Sequence, residues 1–183
     1  NDQQYALSTL RFEYEEMSAF SIEPRSGPVR GGTVVVVRGA NLHHTPSEDE
    51  YGAWCEFSGL DVVGASFDGD GALRCITPTS VSSGSFSVAL VHGDAVASSS
   101  VAFLYYNEMH VTSIEPHTGL VTGGTKVSLL GFGFIESSLV VVQFGAYVSF
   151  VQGQVLSSTM IECTTPAQLE VGSVAVEVSA NGQ

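Results

Sequence analysis

Apolar residues along this chain recur in short runs that alternate with polar residues, and helical periodicity is nearly absent. β-Branched and aromatic residues fill these runs, whereas glycine, proline, serine and aspartate separate them, a pattern typical of all-β proteins. Strands are predicted in the first half of the chain at 20–23, 33–38, 53–57, 73–77, 85–91 and 101–105. Those predicted in the second half are 111–115, 126–130, 140–144, 148–151, 160–164 and 173–178.

The two halves of the chain repeat one another. The phrase Ser-Ile-Glu-Pro-x-x-Gly-x-Val-x-Gly-Gly-Thr occurs at 21–33 and again at 113–125, with nine of thirteen positions identical. A repeat of this length indicates tandem domains, each of about ninety residues and large enough for its own core. Each glycine pair of the repeat precedes a strand, where the backbone must turn sharply and positive φ is favoured.

Further motifs follow each copy of the repeat in the same order. The first copy is followed by Gly39-Ala40-Asn41-Leu42, Cys55-Glu56-Phe57 and Cys75-Ile76-Thr77-Pro78. The second is followed by Gly131-Phe132-Gly133-Phe134, Gln143-Phe144-Gly145 and Cys163-Thr164-Thr165-Pro166. Taken as an ordered set, these motifs resemble the IPT/TIG (immunoglobulin-like, plexin, transcription factor) domain over essentially the whole chain. The resemblance implies two tandem immunoglobulin-like β-sandwiches of the kind found in surface proteins, and it implies no activity.

The ends of the two units do not match. After Leu90 the first unit continues through Val101, Phe103 and Tyr105, an alternating strand that should close its sandwich. After Val178, which is equivalent to Leu90, only five residues remain. The second unit is therefore predicted to lack its last strand.

The N-terminal part of the chain is predicted to contain an additional strand that belongs to neither unit. Leu10, Phe12 and Tyr14 alternate as the closing strand of the first unit does, and Tyr5 and Leu7 extend the pattern. The distance from Leu10, Phe12 and Tyr14 to the first copy of the repeat is nearly the same as the distance from Val101, Phe103 and Tyr105 to the second copy. The predicted organisation is a donor-type strand at 1–16 that completes a neighbouring unit, a first domain at 17–107 and a second domain at 108–183.

Three arrangements could supply the missing strand. In the first interpretation, copies of the chain associate head to tail into an extracellular filament or surface appendage, each inserting its N-terminal strand into the next. In the alternative, the chain is a fragment of a longer repeat stalk, or of an adhesion or receptor ectodomain that binds a protein or glycan. A strand folded back into its own second domain is disfavoured, because the short linker at 106–111 keeps the ends apart.

Charge and hydropathy limit the partners and the location. The net charge of −13, from 19 acidic and 6 basic residues, repels nucleic-acid phosphate and anionic lipid. The predicted partners are copies of the chain itself, because of the missing and the extra strand, with glycan as a further candidate. No apolar run approaches the roughly 20 residues of a membrane-spanning helix, so no membrane insertion is expected. No leader pattern is present at Asn1, so we expect any signal peptide to have been removed and the protein to be extracellular or on the cell surface.

The family resemblance places Cys55 and Cys75 close together and implies a disulfide within the first domain, which favours an oxidising compartment. In the second unit Val142 stands where the first has Cys55, so Cys163 has lost its partner. We expect a buried free thiol there, with a bond to a neighbouring chain as the alternative.

No catalytic, metal or cofactor site is predicted. The chain has neither a nucleophile elbow nor a clustered acid–base pair, so it is not expected to be an enzyme. The Asp68-Gly-Asp70-Gly stretch lacks the further ligands of a calcium loop and is interpreted as a solvated turn. The His43-His44 pair lacks partners at zinc spacing.

Two further predictions concern individual side chains. Thr45 and Ser47, on either side of a proline, are the best candidates for O-linked glycan. Trp54, Phe57 and Phe144 are predicted to be core residues rather than a platform for sugar.

Overall fold

The predicted all-β architecture is confirmed. The computed structural model describes residues 11, 13–42, 52–68, 71–92, 95–145 and 150–183, and these contain strands and turns but no helix. The strands of the first unit are β1 (Ser18–Glu23), β2 (Ser26–Pro28), β3 (Val34–Ala40), β4 (Ala53–Phe57), β5 (Val62–Phe67), β6 (Ala72–Ile76), β7 (Gly84–His92) and β8 (Ala95–Tyr106). Those of the second are β9 (His110–Glu115), β10 (Lys126–Phe132), β11 (Val141–Phe144), β12 (Phe150–Gln152), β13 (Gln154–Ser157), β14 (Met160–Thr164) and β15 (Val176–Ser179).

The first unit is a sandwich whose two layers are joined along one side. Its strands follow the order β1-β3-β6-β5-β4-β7-β8-β2. Strand β5 pairs with both β4 and β6, so it links the layer β1-β3-β6 to the layer β4-β7-β8. At the other end of the order β8 lies antiparallel to β7 and parallel to β2. The closing strand of this unit therefore has a neighbour on each side.

The second unit repeats this plan without described counterparts of β2 and β8, and two short strands, β12 and β13, take the place of β5. Its sheets have the orders β13-β14-β10-β9 and β12-β11-β15. Within the described residues β15, the equivalent of β7, pairs with β11 alone. No described residue occupies the place that β8 takes in the first unit. Among the residues that the structure describes, the sheet edge at β15 therefore has no strand beside it.

The turn glycines behave as the repeat predicts. Gly31 and Gly32 have φ of 73° and 81°, and Gly123 and Gly124 have 73° and 80°. A Cβ at Gly31 would also lie 2.6 Å from the carbonyl oxygen of Pro78. Only glycine fits this corner, because any other side chain meets both backbone strain and a rigid obstacle.

Each unit has its own hydrophobic core. The first is built on β3, β4, β6, β7 and β8, and the second on β10, β11 and β14. Phe57 and Phe144 are buried at equivalent places, but Trp54 is 43% exposed, so its prediction as a core residue was wrong. The reason is strand periodicity: Cys55 and Phe57 point inward from β4, and the residue between two alternating positions must point outward.

A disulfide joins Cys55 on β4 to Cys75 on β6, with the Cα atoms 6.4 Å apart. It crosses the core between the two layers of the first unit. In the second unit the equivalent of Cys55 is the fully buried Val142, and Cys163 is a buried free cysteine.

Candidate functional site

The closing strand β8 fills the first unit with aromatic side chains. Phe103 and Tyr105 are both fully buried. Their ring centroids lie 5.0 Å apart, and they lie 6.1 and 6.4 Å from that of Phe57, all in edge-to-face geometry. The Tyr105 hydroxyl donates a hydrogen bond of 2.9 Å to the carbonyl oxygen of Pro78. Burial raises the pKa of Tyr105 to about 12.

The short strand β2 holds β8 from its other side. The Leu104 amide donates to the carbonyl of Arg25 at 2.9 Å, and the Val29 amide donates to the carbonyl of Tyr106 at 2.8 Å. Gly27 allows the two strands to approach closely, since a Cβ there would lie 2.9 Å from the ring of Phe103. The first unit therefore clasps its last strand between β7 and β2.

The same position in the second unit is a cavity of about 530 Å³, which we name the strand groove. It runs between residues 117–121, the equivalent of β2, and the segment that ends in β15. The apolar residues of its lining include Ile114, Leu120, Val127, Phe144, Val174 and Val176.

Apolar side chains around the strand groove are more exposed than their counterparts in the first unit. Ile22 is 2% exposed, whereas its equivalent Ile114 is only half-buried. Leu120 is 75% exposed and Val174 is 45% exposed. Exposed apolar surface of this kind is suited to being covered by a further protein segment.

The strand groove keeps the glycine that a close strand requires. A Cβ at Gly119 would lie 2.8 Å from the hydroxyl of Thr125, much as one at Gly27 would crowd Thr33. The three atoms nearest to such a Cβ at Gly119 all belong to Thr125, whereas at Gly27 the ring of Phe103 is among the nearest. The strand groove therefore has the shape of the place that β8 occupies in the first unit, but no described strand fills it.

The turn after β15 joins the second unit to the first. The side-chain amide of Gln183 pairs with the backbone of Val34: its oxygen accepts from the Val34 amide at 3.1 Å, and its nitrogen donates to the Val34 carbonyl at 2.8 Å. The buried Asn181 donates to the hydroxyl of Thr33 at 3.3 Å. Tyr106, from the end of β8, packs into the core of the second unit beside Ala180. We name this contact the joint.

Replacing Gln183 by Glu should loosen the joint. The variant keeps an acceptor for the Val34 amide but replaces the donor with a carboxylate that faces the Val34 carbonyl, which should cost about 1 kcal/mol or more. We expect faster hydrogen exchange at Val34 and a wider range of interdomain angles by small-angle X-ray scattering. Ser66→Glu, on the exposed face of β5, adds the same charge away from the joint and should change neither measurement.

The predicted donor segment is described only in part. Tyr5, Leu7, Leu10 and Phe12 lie outside the described residues, and Tyr14 is 91% exposed. Glu16 and Met17 contact the first unit: their backbone carbonyls accept from the side-chain amide of Asn41 and the backbone amide of Ser98, both at 2.9 Å. These contacts lie at the Ala40 end of β3, whereas the joint lies at the Val34 end. The chain therefore enters the first unit at one end and leaves it at the other.

The remaining candidate residues, for glycan attachment and for metal binding, are not brought together in the described part of the structure. Thr45, Ser47, His43, His44 and Asp70 lie outside the described residues. In the part of the chain that the structure covers, no group of three or more His, Cys, Asp or Glu residues could hold a metal ion. The same part has no helix long and apolar enough to span a membrane. Asp68 pairs with Arg74 at 3.1 Å, and the interpretation of 68–71 as a solvated turn stays a prediction because residues 69 and 70 lie outside the described residues.

The thiol of Cys163 should be inert in the native protein. Burial, followed by the neighbouring Glu162 carboxylate, raises its pKa from the ordinary value of 9.0 to about 11. The folded state thus favours the neutral thiol, so this stabilisation is complete below pH 9 and is lost as the pH rises through about 11.

We expect native Cys163 to resist iodoacetamide at pH 8 and to react once the second unit unfolds, as measured by mass spectrometry. The free energy of unfolding should fall between pH 9 and 11 by more in the wild type than in Cys163→Ala. Rapid labelling of the native protein would contradict the burial on which both expectations depend.

The similarity to known proteins covers both copies of the repeat. A family model of the IPT/TIG domain matches residues 20–105 and again 109–183. Mouse (Mus musculus) plexin-B2 is 28% identical over 127 residues, and plexin-2 of Caenorhabditis briggsae is 29% identical over 154 residues. These alignments cover 68% and 84% of this chain but only 7% and 8% of the relatives. Human (Homo sapiens) fibrocystin-L is 34% identical over 80 residues, which cover 44% of this chain and 2% of fibrocystin-L.

A solved structure shares the fold. The full extracellular region of plexin A4 matches with a TM-score of 0.56 and 21% identity, over 85% of this chain and 13% of that one. The predicted extracellular or cell-surface location agrees with these relatives. The predicted tandem of immunoglobulin-like units agrees with both family matches. This chain is a member of the IPT/TIG domain family, with two copies of the domain in tandem.

Proposed function

We propose that the chain is a two-domain section of a longer extracellular IPT/TIG array, such as the ectodomain of a receptor, in which it spaces and orients protein-binding units. In this arrangement the strand groove is filled by a strand of the same polypeptide that follows Gln183. Residues 1–16 complete a unit that precedes the first domain in the same way. The array is favoured over the filament, because the plexin relatives extend far beyond the region that matches this chain.

The observation that carries this proposal is the position of the turn after β15. The Ser179 hydroxyl and the Asn181 side chain both accept from the Gln183 amide at 3.2 Å, so the backbone has already turned back at this point. In the first unit the equivalent turn leads directly into β8, which pairs with β7 from Ala95 onward. A continuation of the chain would enter the strand groove by the same short path.

The joint supports a spacing role. Paired amide contacts to Val34, the buried Asn181 and the packing of Tyr106 fix one unit against the other without a flexible linker. Entry and exit at opposite ends of the first unit allow further units to be added in line. An array built on such joints would hold a ligand-binding region at a defined distance from the membrane.

Sequencing the transcript beyond the codon for Gln183 tests the array. We expect about a dozen residues of alternating apolar pattern, with aromatic residues where β8 has Phe103 and Tyr105, followed by a further domain. A stop codon directly after Gln183 would overturn the proposal.

Head-to-tail assembly of separate copies is a second candidate, favoured by one observation. Leu10, Phe12 and Tyr14 reproduce the spacing of Val101, Phe103 and Tyr105, and the last two of these fill the first unit at the place that corresponds to the strand groove. In this case the groove would be occupied by the N-terminal strand of a second copy.

Sedimentation velocity and electron microscopy of the 183-residue chain separate the two candidates. A monomer at all concentrations agrees with the array and excludes the filament. Long polymers that disappear in the double variant Phe12→Asp, Tyr14→Asp would establish the filament. Polymers that persist in that variant would exclude insertion of this strand.

A further inference from the structure

The single tryptophan of the chain lies on the outer surface of the first unit. Trp54 is 43% exposed at the centre of the layer β4-β5-β7, where it faces Gly64 on one neighbouring strand and Val91 on the other. The second unit has Val141 at the equivalent position. The indole therefore keeps a large apolar surface in contact with water that burial would otherwise remove.

Glycines leave the surroundings of the indole open. A Cβ at Gly52 would lie 3.6 Å from Cζ2 of Trp54, and one at Gly64 would lie 3.7 Å from Cζ3. Both are ordinary van der Waals distances, so packing does not exclude a side chain at either place. Gly64 also lacks the positive φ that would require glycine. Glycine in the middle of a strand weakens it, so the absence of side chains here is explained better by access to the ring than by the fold.

The described strands that surround Trp54 carry almost no charge, although the chain has a net charge of −13. Glu56 is the only Asp, Glu, Lys or Arg in strands β4, β5, β7 and β8. It lies on the same outward side as Trp54, two residues further along β4, and faces Val62 and Ala89. Hydroxyl groups border the face, with Ser87 donating to Ser100 at 2.6 Å. The surface thus offers a flat ring, a hydrogen-bond acceptor and a rim of hydroxyls.

We propose that this face binds a neutral carbohydrate. The apolar C–H face of a pyranose would stack on the indole of Trp54, and the Glu56 carboxylate would accept hydrogen bonds from sugar hydroxyls. Charge selects against anionic glycans, since both Glu56 and the net charge of the chain repel sulfate and carboxylate groups. The site lies on the first unit, away from the strand groove, and it goes beyond the spacing role because it holds whether the protein is an array or a filament.

Tryptophan emission gives a direct test, because Trp54 alone produces it. The 183-residue chain is titrated with cellopentaose, mannopentaose and galactopentaose, and with a heparin pentasaccharide as the anionic comparison. We expect saturable quenching or a shift of the emission maximum with at least one neutral sugar and none with heparin. If no neutral sugar changes the emission, or if heparin alone does, the proposal is wrong.

Gly64→Val gives the specific control, since it places a side chain beside the ring and suits a β-strand. We expect binding at least tenfold weaker, with circular dichroism unchanged. The matched variant is Gln154→Val at an exposed position of β13 in the second unit, outside the strand groove, and it should bind as the wild type does. Equal binding by Gly64→Val would overturn the proposal. So would an emission change that follows protein concentration rather than sugar, because it would mean that this face contacts a second copy.

Discussion

Adding residues 96–106 directly after Gln183 is expected to stabilise the second unit by about 3 kcal/mol, because it supplies two aromatic side chains to an apolar groove. Leu90 and Phe103 are thirteen positions apart, and this fusion places the added phenylalanine thirteen positions after Val178. The ring would then enter beside Phe144, as Phe103 lies beside Phe57 in the first unit. Calorimetry should show a higher melting temperature for the second unit, and hydrogen exchange along β15 should slow.

The control for this fusion carries aspartate in place of the added phenylalanine and tyrosine. It has the same length and can form the same backbone hydrogen bonds, but it cannot bury two charged side chains in an apolar groove. We expect its second unit to melt as in the original chain. If both fusions stabilise equally, backbone pairing rather than aromatic anchoring determines what binds in the strand groove.

Removing the disulfide should have an effect of similar size on the other unit. The double variant Cys55→Ala, Cys75→Ala frees a loop with a sequence separation of 20 and should lower the free energy of unfolding of the first unit by about 3 kcal/mol. Trp54 adjoins Cys55, so urea denaturation followed by tryptophan emission reports on this unit alone.

The second unit supplies the comparison for the disulfide. It folds around Val142 and Cys163 with no cross-link, so its calorimetric transition should not move in the double variant. Cys163→Ala should leave the Trp54 denaturation curve unchanged. A first unit as stable without the disulfide as with it would mean that its packing alone suffices, as in the second.

The sequence predicts most of the strands, because most have an apolar face and a polar face. Strand β2 was missed because Ser26–Pro28 has no alternation, and its pairing depends on β8, which is distant in sequence. Strand β5 was missed because its residues are half-buried or exposed, so no buried face marks it. Local pattern cannot identify a strand whose stability comes from its neighbours.

The candidate site was predictable in outline but not in detail. Comparing the two repeats reveals that a strand is missing after Val178, because the first copy acts as a template for the second. The joint had no such template: Asn181 and Gln183 look like ordinary turn residues, and only the tertiary structure brings them to Thr33 and Val34. Trp54 was misassigned because hydrophobicity alone does not say which side of a strand faces water.

The parallel pairing of β2 with β8 has a mechanical consequence. If the protein is stretched between its two ends, the force acts on the first unit at Met17 and at Tyr106, which lie at opposite ends of the sandwich. Strand β8 would then have to slide along β2 and β7, so the hydrogen bonds on both of its sides resist together instead of opening one at a time. A unit whose last strand is clasped on two sides is suited to carry tension, and the second unit would gain this resistance only when its strand groove is filled.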